Sequence, residues 1–294
     1  MSHILTVGIA TLDIVNLVDH YPQEDEELRA TGQRIARGGN AANTAVVLAQ
    51  LGHRVDFAGV LADEPDGHRI EADLANHGVS TRYCARIEGG KSPTSYICLN
   101  ETNGSRTIVH YRDLPEFGYA QFAAIPVEAF DWLHVEGRNP TETVRMLEAA
   151  RRRLADQPVS LELEKHRDGI EALLPHADVI LCSRAFARAA GFDDPAAFIA
   201  AWQLEAPQAI WTCTWGEAGA LGRDRDGQLY KSAAFPPATV RDTLGAGDTF
   251  NAGLIAALAT GHPLGAALTM ACRLAGHKVG QPGFTGLDPN LLSF

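Results

Sequence analysis

Asp242-Thr243-Leu244-Gly245-Ala246-Gly247-Asp248-Thr249-Phe250 opens a small, apolar helical segment that runs through Leu258 and stops at Gly261. Two glycines at a helix start let the backbone approach a ligand, and the unpaired amides of a first turn attract phosphate oxygens. Gly245, Ala246 and Gly247 are therefore a candidate anion hole. An acid beside bound phosphate would repel it, so Asp248 needs a reason to be there. Accepting a proton from an attacking hydroxyl is one reason, and the favourable interaction of an early-helix acid with the macrodipole is the other. Two rival phosphate motifs are missing: there is no Gly-x-x-x-x-Gly-Lys-Ser/Thr, and Phe250 stands at the third glycine position of a dinucleotide fingerprint.

Roughly 200 residues upstream, Arg37-Gly38-Gly39-Asn40-Ala41-Ala42-Asn43 places two more glycines before a helical pattern that Gly52 closes. Asn40 and Asn43 fall at i, i+3 on one face, and an asparagine amide both donates and accepts, as sugar hydroxyls do. The plainer alternative is an N-cap at Asn40 with Asn43 incidental. Asp13, just after the first apolar run, is either a second hydroxyl acceptor at a strand's carboxyl end or a simple loop acid.

Around these motifs, short apolar runs alternate with helical periodicity at Ile4–Val7, Trp132–Val135, Val159–Leu163, Val179–Cys182 and Ala209–Thr212. That alternation predicts a doubly wound α/β fold with a mostly parallel, buried sheet flanked by helices. Two regions break it. Glu27–Arg37 and Ser95–Tyr111, the latter with an Asn103-Gly104 turn, predict a small β-sheet attached to the main body. We expect one domain over 1–294, with lid segments at about 13–37 and 95–112.

The net charge of −11 argues against a nucleic-acid or anionic-membrane surface. No stretch reaches 18 uninterrupted apolar residues, so no membrane span is expected. Five widely spaced cysteines match neither a zinc pattern nor a disulfide framework, and a cytoplasmic location is expected.

Together, Gly38-Gly39-Asn40-Ala41-Ala42-Asn43 and Asp242-Thr243-Leu244-Gly245-Ala246-Gly247-Asp248 resemble the two signatures of the ribokinase-like (PfkB) carbohydrate kinases. Asp13, Tyr21-Pro22 with Glu24-Asp25, Asn103-Gly104 with Arg106-Thr107-Ile108-Val109, Glu136-Gly137-Arg138-Asn139 and Ala234-Phe235-Pro236-Pro237 are similar to ketohexokinase segments. The resemblance implies transfer of the ATP γ-phosphate to a primary hydroxyl of a ketohexose, most simply fructose at its first carbon. Kinases for other small polyols (2-keto-3-deoxygluconate, tagatose, ribose, nucleosides) and a non-catalytic sugar or nucleotide binder are the alternatives.

Carried over by position, the resemblance implies that Asp13, Gly39, Asn40 and Asn43 contact the sugar and that Asp248 deprotonates it. Arg106 would reach sugar and phosphate, with Ser105 and Glu136 beside the pocket. Thr214, Trp215, Gly216, Gly219 and Cys272 would line the nucleotide with Gly245 and Gly247. Mg²⁺ would arrive with ATP, and Asp242 would ligate a monovalent cation, K⁺. Asp25 would come from a second chain, making a homodimer closed by the small sheet.

Three departures qualify the likeness. Ser105 replaces an asparagine of the mammalian ketohexokinases. Ser183 and Phe186 occupy the places of the superfamily's Asn-x-x-Glu element, leaving metal handling to Glu162 or Glu164. Thr243-Leu244 replaces the commoner Thr-Thr. Because phosphoryl transfer passes through a loose transition state, a carboxylate at Asp248 with an ordinary pKa of about 3.9 is expected to suffice as base.

Overall fold

In the computed structural model, which describes residues 1–292, the short apolar runs become buried strands. In chain order these are β1 (His3–Val7), β2 (Thr11–Val18), β3 (Gly32–Gly38), β4 (Arg54–Ala58), β5 (Val60–Ala62), β6 (Val79–Ser80), β7 (Ala85–Ile87), β8 (Thr94–Asn100) and β9 (Arg106–Tyr111). They continue as β10 (Trp132–Glu136), β11 (Val159–Leu163), β12 (Val179–Ser183), β13 (Ile210–Thr214), β14 (Ala220–Arg223) and β15 (Leu229–Ser232).

Nine strands form one sheet in the order β15-β14-β13-β12-β11-β10-β1-β4-β6. It is parallel from β6 to β13, and β14 and β15 add an antiparallel edge. Every residue of β10 and β11 is buried, as a sheet covered on both faces requires. Consecutive residues on β1 serve opposite cores: Ile4 packs with Val46, Leu254 and Leu268, whereas Leu5 packs with Met146, Phe186 and Phe198. All five expected strands are present. The edge pair β14 and β15, and β4 beside β1, were not singled out from sequence.

The small sheet has the order β3-β2-β8-β9. Its β8–β9 hairpin falls where the Asn103-Gly104 signal places it, with Cys98 opposite Thr107 and Tyr96 opposite Val109. Two details differ from expectation. Asp13 lies within β2 rather than in a loop after β1, and the Glu27–Arg37 region becomes strand only from Gly32, β3 running one residue past it to Gly38. Residues 19–31 carry neither helix nor strand, since Pro22 and a run of exposed charges offer no alternating apolar face. Among the described residues no helix is long and apolar enough to cross a membrane.

Strand direction positions the site. β1 and β10–β13 end along one edge of the large sheet, where the small sheet stands over the starts of helices Asn40–Gln50 and Ala246–Ala259. Ligands of open α/β sheets bind outside the strands' carboxyl ends for this reason.

Candidate active site

A cavity of about 570 Å³ opens between the inner face of the small sheet, the ends of β11–β13 and the Asp242–Asp248 loop. Gly245 caps helix Ala246–Ala259 at φ 74°, and a Cβ there would stand 2.2 Å from the Phe284 ring. Gly247 differs. A Cβ on it would meet nothing within 4 Å and would project into space that the cavity occupies. Among the described residues no acceptor takes the amides of Gly247 and Asp248, as expected of a first turn. The open cradle and its free amides fit an incoming phosphate.

Asp248 sits at the floor of this cavity, buried. Its Oδ2 accepts from Asn43 Nδ2 at 2.6 Å, and the Arg37 guanidinium donates to Asn43 Oδ1, which fixes the amide's orientation. Arg37 is anchored through Nε to Asp73 at 2.6 Å. Burial raises the Asp248 pKa to about 7 against the pull of the Asn43 hydrogen bond and Arg37, with Glu164 and Glu136 adding to the rise. The expectation of an ordinary carboxylate pKa is thus corrected, because the apolar helix that presents Asp248 also desolvates it.

Asn40 Nδ2 donates to Glu162 Oε1 at 3.0 Å, leaving its carbonyl oxygen to the cavity. Gly39 brings the backbone close: at φ 94°, a Cβ would lie 2.4 Å from the Ile9 carbonyl oxygen. Gly38 makes room for Asp13, whose carboxylate would sit 2.2 Å from a Cβ there. Asp13 accepts from Thr11 Oγ1 at 2.9 Å and faces the cavity, its pKa raised by burial. Arg106 Nη1 donates to Thr243 Oγ1 at 3.1 Å, and Thr243 donates to the Gly104 carbonyl at 3.3 Å, so the β8–β9 turn touches the phosphate loop.

The family model described as pfkB family carbohydrate kinase matches residues 1–290. The chain belongs to the pfkB family of carbohydrate kinases. Ketohexokinase from Mus musculus is 40% identical over 97% of this chain and 99% of its own length. Ribokinase from Bacillus subtilis (strain 168) is 29% identical over 98% and 97%. Among solved structures, Arabidopsis thaliana ribokinase complexed with ribose and ATP matches with a TM-score of 0.79 at 19% identity, covering 100% of this chain and 99% of that one. That likeness speaks to the fold. As a member of this family the chain is an ATP-dependent carbohydrate kinase.

Several residues named for this pfkB kinase's site do not line the cavity of their own chain. Glu136 lies beneath the cavity, where its Oε2 accepts from the Ile9 amide at 3.0 Å and its Oε1 from Arg138 at 3.3 Å; it braces the turn that Gly39 packs on. Ser105 is held away by Tyr21 and Asn103, each at 2.6 Å. Asp25 is exposed in the segment between β2 and β3, with φ 63°. Of the nucleotide group, Thr214 lines the cavity and Trp215, Gly216, Gly219 and Cys272 do not; the Trp215 amide donates to the Gly219 carbonyl, Gly219 packs against the Ser232 carbonyl at the end of β15, and Cys272 is buried.

Asp242 does not fit a monovalent cation in this pfkB kinase. Lys278, fully buried, donates from Nζ to the Asp242 carbonyl at 2.9 Å and approaches Oδ2 at 3.0 Å. Arg34 reaches Oδ2 at 2.7 Å, the Gly283 amide at 3.0 Å, and the Leu244 amide takes Oδ1 at 3.0 Å. Burial alone would raise this carboxyl's pKa, yet Lys278, the Gly283 amide and Arg34 together hold it below the usual range. Two cations and two amides already occupy the position.

A divalent cation fits better. Glu162 is buried with its Oε2 unpartnered, and Glu164 lines the same cavity. Among the described residues no cluster of three or more His, Cys, Asp or Glu could hold a metal alone, so the ion would be shared with nucleotide phosphates. Lys278, Ser95 and His110 were not singled out from sequence, and Glu162 only as an alternative to Glu164 for metal handling. Their hydrogen-bond partners lie 15 to 122 residues away, and no local spacing marks them.

Proposed function

We propose that this kinase transfers the γ-phosphate of MgATP to a primary hydroxyl of a ketohexose, fructose at its first carbon. The observation that carries the reading is the pairing of Asp248, buried at the cavity floor, with the open Gly247 cradle one residue away. The 40% identity to a ketohexokinase over nearly the whole chain supports the sugar class.

The substrate hydroxyl oxygen attacks the γ-phosphorus as the bond to the β,γ-bridging oxygen breaks, ADP departs, and the hydroxyl proton passes to Asp248. Because the transition state is loose, most of the work is positioning and charge stabilisation. Asn43 holds one oxygen of Asp248 and leaves Oδ1 for the proton. The amides at Gly247 and Asp248 and the Arg106 guanidinium face the transferring group. Glu162 and Glu164 would hold Mg²⁺, which would supply neutralisation of phosphate charge. Asp13 and the Asn40 carbonyl orient the other hydroxyls.

The small sheet acts as a lid over this cavity and joins two chains into a homodimer, with 1–294 behaving as one domain. The five free cysteines suit a reducing, cytoplasmic setting. ADP release measured with fructose, tagatose, ribose, 2-keto-3-deoxygluconate and adenosine tests the substrate, and ³¹P–¹³C coupling in the product locates the phosphate. Preferred turnover of fructose with phosphate on its first carbon is expected. Preference for an aldose, a nucleoside or an acid sugar overturns the ketohexose reading, and ATP hydrolysis unaffected by any sugar overturns the kinase mechanism.

A further inference from the structure

One cross-strand row on the cavity side of the small sheet carries a hydrogen-bonded chain. Asp13 on β2 is registered with Ser95 on β8, and Ser95 with His110 on β9. Residues opposite one another on neighbouring strands share a face, and all three line the cavity. Ser95 lies opposite Asp13, where its hydroxyl holds the carboxyl's pKa down against burial, and its Oγ lies 3.2 Å from His110 Nδ1.

The chemistry of this chain fixes the histidine tautomer. An ionised carboxylate only accepts, so Asp13 takes the single hydroxyl proton of Ser95. The Ser95 oxygen must then accept from His110, which places the imidazole proton on Nδ1. Nε2 is left as a bare acceptor, and no protein group among the described residues bonds to it. Burial, followed by the nearby cations Arg138, Lys165 and Arg112, lowers the His110 pKa against the opposing charge of Asp13, so the ring stays neutral at physiological pH. Around it the cavity wall supplies donors: Arg106 on the same strand, Arg138 after β10, and Lys165 and Arg167 after β11. A neutral acceptor among cations selects a group that donates.

We propose that His110 is a specificity-determining residue whose Nε2 accepts a hydrogen bond from a substrate hydroxyl distant from the one phosphorylated. The inference rests on the reading of this cavity as a sugar site. It adds a contact that pairs the acid Asp13, which also accepts, with a second acceptor fixed one strand further out. A sugar presenting two hydroxyls along the row satisfies both, and one lacking the outer hydroxyl leaves Nε2 unpaired.

Two isosteres separate this role from a structural one. Glutamine places its carbonyl where Nε2 stands and loses the link to Ser95, whereas asparagine keeps a donor at the Nδ1 position and loses the outer acceptor. Sugar KM and kcat are measured for the sugar that the wild type turns over best, in His110→Leu, His110→Asn and His110→Gln, with folding checked by thermal melting. The expected result is a KM raised roughly 3- to 10-fold in His110→Leu and His110→Asn, restored towards wild type in His110→Gln, with kcat within about two-fold throughout. One monodeoxy analogue should lose affinity against the wild type and not against His110→Leu. The reverse order, rescue by asparagine and not by glutamine, makes His110 a brace for Ser95 and overturns the proposal, as does an unchanged KM in all three. A wild type that phosphorylates no sugar removes the sugar-site reading and this inference with it, whereas normal sugar turnover with indifferent variants removes the inference alone.

Discussion

Asn43 Nδ2 donates to Asp248 Oδ2 at 2.6 Å, joining the starts of two helices 205 residues apart in sequence. The asparagine cannot turn its carbonyl to Asp248, because that oxygen is held by Arg37. This hydrogen bond favours the ionised carboxylate and opposes the burial that disfavours it. Asn43→Ala should therefore raise the Asp248 pKa and move the rising limb of the kcat/KM profile to higher pH. The loss relative to wild type should be larger at pH 6.5 than at pH 9. An equal loss at every pH would show that Asn43 only binds substrate.

Asp248 itself sets a second expectation. As a base it must be ionised, so kcat/KM should fall below about pH 7, and Asp248→Asn should lower turnover by about 10²-fold or more with the fold intact. Stability should move the other way. The folded pKa lies above the unfolded value of 3.8, so the stability linked to this proton is complete below that value and lost as pH rises through about 7. Asparagine never ionises and escapes the loss. The gain in Tm of Asp248→Asn over wild type should thus be greater at pH 8 than at pH 5, and a gain independent of pH would contradict a buried, strained carboxylate.

Two glycines in the two motifs should respond differently to a side chain. Gly247→Val should leave the fold intact, since its Cβ meets nothing, yet its branches would fill the phosphate cradle and abolish turnover. Gly39→Ala should instead lower Tm, because its φ of 94° is strained for alanine and its Cβ collides with the Ile9 carbonyl oxygen. Unchanged ATP kinetics in a folded Gly247→Val protein would remove the anion-hole assignment.

What could be read in advance follows the range of the interactions. Gly245, Gly247 and Asp248 belong to one turn, and Asn40 and Asn43 to another, so local chemistry points to the roles proposed for them. The parallel strands were legible because a sheet buried on both faces demands continuous apolar runs. Lys278 was not, since a lysine near the end of helix Leu264–Val279 is indistinguishable from one placed there for the helix dipole. Only the fold carries its ammonium to Asp242, 36 residues away in sequence. Glu136 is ambiguous in sequence for a related reason: a strand-end glutamate can face the ligand or the turn beneath it, and in the fold the Ile9 amide donates to its Oε2.

The outer face of the small sheet presents Ile35, Ile14, Tyr96 and Val109 in a single cross-strand row. Ile35 is 45% exposed, Tyr96 48% and Val109 67%, with Tyr111 at 50% beside them. An exposed apolar row on a four-stranded sheet with β9 at its open edge is an aggregation hazard unless another surface covers it. A second copy of the same sheet, related by a two-fold axis, would cover both rows at once. Asp25, exposed and held in a left-handed turn between β2 and β3, would then be free to reach the partner's cavity, since it does not line its own. Sedimentation should find a dimer at micromolar concentration, and Tyr96→Glu with Val109→Lys should shift it to monomer with the monomer's fold preserved. Mixing Asp248→Asn chains with Asp25→Ala chains, each inactive alone, should restore part of the activity, because a mixed dimer holds one complete site. A wild-type monomer with full activity, or no complementation after subunit exchange is demonstrated, would overturn the shared site and leave the single-chain chemistry of Asp248 untouched.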